Sequence, residues 1–218
     1  MFYTEKKPTL LNTYLIYISI NEIINKKLPM GGRVIMSDET KEKLVDAALK
    51  LFAEEGYVGT KTRIIAHEAG FSEMTLFRKF KTKENLFDTV LVEKKGLIFD
   101  EIYSIFNGNN VNDPIESFRI LIQYFYRLIE NNFDYISIYI NERRRISESI
   151  FEEFIDHLSH YLEMKFPEIQ INSRVFAFNI LSFLYLLIFD KNMGYTFVDH
   201  ENAVKEFIEY NKDFLATH

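Results

Sequence analysis

The sequence predicts an all-α protein. Apolar residues recur at three- and four-residue spacing along the chain after residue 36, and no strand series or internal repeat interrupts them. Turn formers such as Gly56, Gly70, Gly108-Asn109-Asn110 and Asp113-Pro114 punctuate the periodic stretches. Hydrophobic residues make up 47% of the 218, with 21 Phe and 13 Tyr, so the chain can bury a substantial core and does not have the composition of a disordered one. It contains no Cys, which rules out disulfides and cysteine-ligated zinc.

Residues 1–35 stand apart from the pattern. Lys6 and Lys7 precede an apolar run from Leu10 to Ile20, too short to span a membrane and followed by no small-residue cleavage site. Gly31-Gly32-Arg33 can be encoded by GGA-GGA-AGA, a purine-rich ribosome-binding sequence a few codons before Met36. The expectation is an upstream stretch translated ahead of a natural start at Met36; the alternative is a working arm.

From Ser37 to Glu55, residues Leu44, Ala47, Ala48, Leu51 and Phe52 form one helical stripe behind an acidic, capped start, and Gly56 ends it. Thr60 to Phe87 then reads as a short helix, a glycine turn, a second short helix and the cap of a third. Gly70 supplies the left-handed residue that ends the first short helix. Ser72 caps the second, its hydroxyl placed for an orphan amide. Ile65, Ala66 and Ala69 face inward. Leu76 and Phe80, four apart, anchor the second helix by one face and leave Glu73, Met74, Thr75, Phe77 and Lys79 largely outward. Thr82 caps the next helix with Lys83 in its first turn, where a cation opposes the helix dipole unless a phosphate docks there. This is helix-turn-helix geometry, which sets one helix in the major groove of DNA.

Beyond Leu86 the pattern predicts a long helix to about Phe106, then Asp113-Pro114 opening a helix to about Glu130. Further helices are predicted over Phe133–Glu142, Ser147–Lys165, Asn172–Phe189 and Asp199–Leu215. Val175–Phe189 is apolar around most of its circumference and so is buried on more than one side. Its length, with Arg174, Asn179 and Asp190, argues against membrane insertion.

The residues Thr60, Arg63, Ile65, Ala66, Ala69, Gly70, Phe71, Ser72, Leu76, Phe77, Phe80, Lys83, Glu84 and Leu86 stand in the register of one family pattern: Thr, Arg-x-Ile-Ala-x-x-Ala-Gly-(Val/Phe)-Ser, (Leu/Phe)-(Tyr/Phe), Phe-x-x-Lys-Glu-x-Leu. The stretch resembles the TetR (tetracycline repressor) family of transcriptional regulators. The resemblance implies an N-terminal three-helix DNA-binding head, 36–87, on a C-terminal helical body for effector binding and dimerisation, 88–218. It also implies that Arg63 reaches a base edge, that Thr75 and Met74 meet bases, and that Lys61, Lys79 and Lys83 meet phosphates. Thr60, Ser72, Glu73 and Phe77 complete the expected DNA-contacting set. Phe77 stands where Tyr is common and lacks the hydroxyl that would reach a phosphate. The partners implied are double-stranded operator DNA, a second copy of the chain and a small effector, in the cytoplasm. The final two helices would form the dimer interface through Phe183, Leu187, Ala203, Phe207, Tyr210 and Phe214.

Charge distribution agrees with a local DNA footprint. The chain carries a net charge of -6, yet between Lys61 and Lys83 six basic residues face two acidic ones. In the body, Phe99, Tyr103, Phe125, Tyr126, Tyr139, Phe154, Tyr161 and Phe178 are candidates to line an effector cavity, against the plainer reading of each as core. Tyrosines are the better candidates because a buried hydroxyl needs a partner. The expected effector is mainly apolar, with one acidic or hydrogen-bonding end for a Tyr or for Arg143, Arg144 or Arg145; those arginines read equally as a solvated run.

His157 and His160, with Glu153 and Asp156, suggest a metal site only if the remote His200 joins them, so surface histidines are expected and no metal. No nucleophile with a neighbouring base stands out, so neither an enzyme nor a cofactor is expected. The rival function is a DNA-organising protein with the same head, regulated by protein contacts and without an effector; a deep cavity in the body discriminates between the two.

Overall fold

A computed structural model describes residues 38–109, 111–146 and 150–215. The expectations for residues 1–35 and for a cap at Ser37 lie outside the described residues. Among those described there are nine α-helices, one 3-10 turn and no strand. The helices are α1 (Glu39–Gly59), α2 (Thr62–Glu68), α3 (Glu73–Phe80), α4 (Lys83–Gly108), α5 (Pro114–Asn131), α6 (Phe133–Asn141), α7 (Ile150–Lys165), α8 (Ser173–Asn192) and α9 (His200–Asn211), with the 3-10 turn at Lys212–Phe214.

Local chemistry sets most boundaries. The side chains of Ser72, Thr82, Asp113, Asn172 and Asp199 each accept a hydrogen bond from a backbone amide three residues on, opening α3, α4, α5, α8 and α9. Pro114 takes the first position of α5, where its missing N–H costs nothing. Gly56 has φ 70°, ψ 169°, so α1 breaks there and resumes for a single turn to Gly59. Asn132 ends α5 and begins α6: its amide N–H and side-chain Nδ2 both donate to the Leu128 carbonyl, and its own carbonyl accepts from Ile136.

Two expected ends move. α8 continues past Phe189 to Asn192, because the left-handed stop is Gly194 at φ 71°. α9 ends at Asn211 rather than Leu215. There the Asn211 side chain donates to the Phe207 carbonyl, and the Lys212 N–H reaches back three residues to Glu209, tightening the last turn into 3-10 form.

The core runs through the head and the body, and the described residues from 40 onward form one compact unit. Leu44, Ala48, Phe52, Ile65, Leu76, Leu86 and Phe87 bury the head helices against each other. In the body, α8 packs against α5 and α7 through Phe176, Ala177, Ile180, Leu184 and Ile188, with Phe118 stacked on Phe176 at 5.6 Å. α8 is long and apolar enough to cross a membrane by length and composition. Its second apolar face, Val175, Phe178, Leu186, Phe189 and Met193, is exposed.

Candidate nucleic-acid interface and body cavity

The second short helix is presented outward by its own sequence. Gly70 has φ 79° with open space around its missing Cβ, so the requirement there is conformational and not steric. Ser72 Oγ accepts from the Thr75 amide at 3.2 Å and lies 3.0 Å from the Thr75 hydroxyl. Leu76 and Phe80 are buried, which turns Met74 (79% exposed), Phe77, Arg78 and Lys79 to the surface. Lys61, at the N-cap of the neighbouring α2, and Arg63, within it, are exposed.

Thr60, Glu73 and Lys83, also in the expected contact set, are tied to other elements. Thr60 is 2% exposed, and its hydroxyl donates to the carbonyls of Leu51 at 2.9 Å and Gly56 at 2.7 Å, closing the end of α1. Glu73 accepts from the Thr62 hydroxyl at 2.7 Å, tying the start of α3 to the start of α2. Lys83 donates to the carbonyls of Tyr57 and Thr60 and stands 4.5 Å over the Tyr57 ring. Burial and the Arg145 guanidinium lower its pKa, while Glu142 opposes the shift. A cation in the first turn of α4 is thus accounted for by the carbonyl end of α1, whose partial negative charge it meets. Arg78, counted in the basic balance, was left out of the expected contact set: it follows Met74 by four and is exposed like it. That spacing was the signal.

The turn after α6 reaches the head. Glu142 accepts from the Tyr57 backbone N–H at 2.7 Å, and the Arg145 guanidinium covers the Tyr57 ring at 3.8 Å. Tyr57 in turn packs edge-on against Phe87 at 5.0 Å, the first ring of α4.

The other end of α6 borders a cavity of about 160 Å³ in the body. Its walls are Ile98, Phe125, Leu128, Ile129, Asn132, Ile136, Phe151, Phe154, Ile155, Phe178, Leu181, Ser182 and Tyr185. Burial raises the pKa of the Tyr185 phenol. Of the eight aromatic candidates, Phe125, Phe154 and Phe178 line this cavity. Phe99 and Tyr103 instead form a ring cluster with His157, at 5.4 and 5.3 Å. Tyr161 stacks on Phe106 at 4.3 Å, and Tyr126 stands beside Lys191. Tyr139 meets Tyr135 edge-on at 5.0 Å and lines a separate groove with Arg145. Helical spacing placed these rings in the body, but the rotation of each helix decided which met the cavity. Asn132, Ser182 and Tyr185, the cavity's polar groups, were missed; the Asn-Asn break before Phe133 was the available signal for Asn132.

The residues expected at a dimer interface divide. Phe183 and Phe207 stack on each other at 4.2 Å within the chain, Leu187 is buried and Ala203 half-buried, while Tyr210 and Phe214 are exposed. The histidines are spent separately: His157 lies 3.3 Å from the Tyr103 hydroxyl, and His200 2.8 Å from Asp190. Among the described residues no three potential metal ligands converge.

A helix-turn-helix head with an exposed second helix, carried on a helical body with an apolar cavity, has the architecture of a DNA-binding transcriptional regulator. Residues 44–90 match the model of the family described as bacterial regulatory proteins, tetR family, so this segment is a DNA-binding head of the TetR-family regulators. It is 29% identical over 125 residues to the uncharacterised HTH-type transcriptional regulator YvkB of Bacillus subtilis (strain 168), a match covering 56% of this chain and 59% of that protein. The chain thus aligns with a little over half the length of the curated relatives it matches. Among solved structures, AibR in complex with isovaleryl coenzyme A and operator DNA superposes with TM-score 0.62 at 15% identity, covering 82% of this chain and 100% of that one. FadR from Bacillus subtilis in complex with stearoyl-CoA gives 0.57 at 19% identity, covering 81% and 99%. These likenesses share the fold.

Proposed function

We propose that the chain is a homodimeric transcriptional repressor that binds a palindromic operator through a head over 36–87 and releases it when a small, mainly apolar effector enters a body over 88–218. The observation that carries the reading is the combination of an outward α3 with an apolar cavity whose wall helix, α6, ends on Tyr57 of the head. In this reading Arg63, Met74 and Thr75 meet base edges, and Lys61, Arg78 and Lys79 meet phosphates. The partner copy covers the exposed apolar face of α8 together with Tyr210 and Phe214, since a contiguous exposed apolar face marks an interaction site. Two heads on a twofold axis then read two half-sites.

The cavity also favours an effector over purely protein-mediated control. At about 160 Å³ it matches the ~150 Å³ space that holds a benzene-sized molecule and is smaller than the ~300–1,000 Å³ of drug-sized sites. A larger effector would enlarge it, pushing on α6 and α8, which supplies the coupling between occupancy and head position. The neighbours that bind isovaleryl coenzyme A and stearoyl-CoA support an effector with an acyl-like apolar part. The test is selection of bound DNA fragments by the purified protein, followed by a thermal-shift library screen on the protein–DNA complex. Palindromic sites released by apolar compounds are expected; no enriched site, or release only by sugars or metal ions, would overturn the reading.

A further inference from the structure

Three lysines and no carboxylate line a groove of about 310 Å³ on the head. Lys41 comes from the first turn of α1, Lys79 and Phe80 from the end of α3, Lys81 from the turn that follows, and Asn85 and Thr89 from α4. Lys41 also pairs with Glu93 of α4, which ties the α1 and α4 walls together. The chain as a whole carries a net charge of -6, so a groove whose charged lining is lysine alone is a local exception. Such a lining concentrates positive potential and suits an anion.

Lys81 occupies a backbone conformation that its side chain opposes. It has φ 68° and ψ -46°, and the Thr82 N–H donates to the Phe80 carbonyl at 2.8 Å, closing a γ-turn of the rare, strained hand around Lys81. Among the described residues no other non-glycine has a positive φ. The flanking residues are fixed, since Phe80 is buried and Thr82 caps α4. Glycine would adopt the same conformation without the steric cost. The turn does not depend on the lysine side chain, because the Lys81 N–H itself donates to the Phe77 carbonyl at 2.9 Å. The side chain is exposed and donates to the Arg78 carbonyl at 3.1 Å, a contact open to water that contributes little to the fold. Strain kept at a charged residue with so small a structural role points to a use for the charge.

Lys79 connects the groove to the outward residues of α3, the helix set to enter the major groove. We propose that the groove carries the DNA backbone past the end of α3, with Lys81 held in its strained turn as a phosphate contact, so that the head gives up stability for affinity at this residue. Duplex DNA is the occupant because the lysines continue from the reading helix itself, and phosphate contacts beside a reading helix fix its register on the duplex. The inference rests on the reading of residues 36–87 as a DNA-binding head.

Three variants separate charge, strain and net charge. The probe is the duplex that the purified natural chain selects from a random pool. Lys81→Gln removes the charge and keeps the strain, whereas Lys81→Gly removes both. Arg119→Gln removes an exposed charge from α5, away from the head, and controls for net charge. Both Lys81 variants should bind the duplex more weakly, with the salt slope reduced by about one per head, so their deficit should shrink about threefold between ~50 and ~200 mM salt. Lys81→Gly should also raise the urea midpoint of the DNA-free protein, and Lys81→Gln should leave it unchanged. Natural affinity and slope in Lys81→Gln, or an equal loss in Arg119→Gln, overturns the phosphate contact and leaves the head reading standing. A Lys81→Gly midpoint no higher than the natural one overturns the exchange of stability for affinity. If the natural chain selects no duplex, the head reading fails and this inference fails with it.

Discussion

Glu142 holds the Tyr57 backbone N–H at 2.7 Å, so the turn that follows α6 grips the end of α1 across 85 residues of sequence. The grip is close: a Cβ at Gly56 would stand 3.1 Å from the same carboxylate oxygen. Because α6 also borders the cavity through Ile136, body and head share one nine-residue rod. Glu142→Ala should leave the Tyr57 amide unsatisfied and cost about 1–3 kcal/mol of stability. It should also weaken the response of operator binding to a releasing compound. Denaturant titration and DNA titration with and without that compound read the two effects; an unchanged response would detach this contact from signalling.

Gly56→Ala places a side chain at φ 70°, a backbone region L residues rarely adopt, and against Glu142. A loss of more than about 1 kcal/mol is expected. A variant as stable as the natural chain in urea would contradict the geometry.

Lys83 and Arg78 should behave oppositely. Lys83 is committed to the carbonyls of Tyr57 and Thr60, so Lys83→Met should lower the melting temperature of the DNA-free protein. Arg78 is exposed, so Arg78→Ala should leave stability within about 0.5 kcal/mol, weaken binding to all DNA sequences and reduce the salt slope by roughly one. Equal thermal stability of the two variants would place Lys83 with the DNA contacts instead. Arg63→Ala, by contrast, should relax preference at one base pair and cost about 1–3 kcal/mol.

Burial pushes the His157 imidazole below its ordinary 6.5, with His160 adding to the shift and Glu153 opposing it. Well above pH 6.5 the residue is neutral in both folded and unfolded chains. As pH falls, the unfolded chain takes up the proton first, so stability declines until the pH passes the lower folded value. His157→Gln should flatten that part of the stability–pH curve relative to the natural chain. Identical curves would show that the imidazole is not buried as described.

For the dimer, Leu186→Glu combined with Tyr210→Glu charges the exposed face of α8 and α9 and leaves the Phe183–Phe207 stack intact. Burying these unpaired charges against a partner would cost several kcal/mol, on the order of 3–5. Sedimentation should then show monomers of unchanged helicity with little specific DNA binding; an intact dimer would move the interface elsewhere.

What the sequence determined by itself was local. Caps at Ser72, Thr82 and Asp113, the proline at α5 and the glycine turn at Gly70 act over three or four residues, so the helix-turn-helix and most helix starts were legible. Contacts between distant segments were not. Lys83 offered a cation at a helix start, and only the folded head supplied the carbonyls of Tyr57 and Thr60, 26 and 23 residues away. Phe183 and Phe207 share an apolar signature with Leu186 and Tyr210, but the docking of α9 stacks the first pair on each other, half-buried, and exposes the second. The same holds for the cavity, whose aromatic lining was chosen by helix rotation. Periodicity says that a face is apolar; which neighbour that face meets depends on packing among helices far apart in the chain.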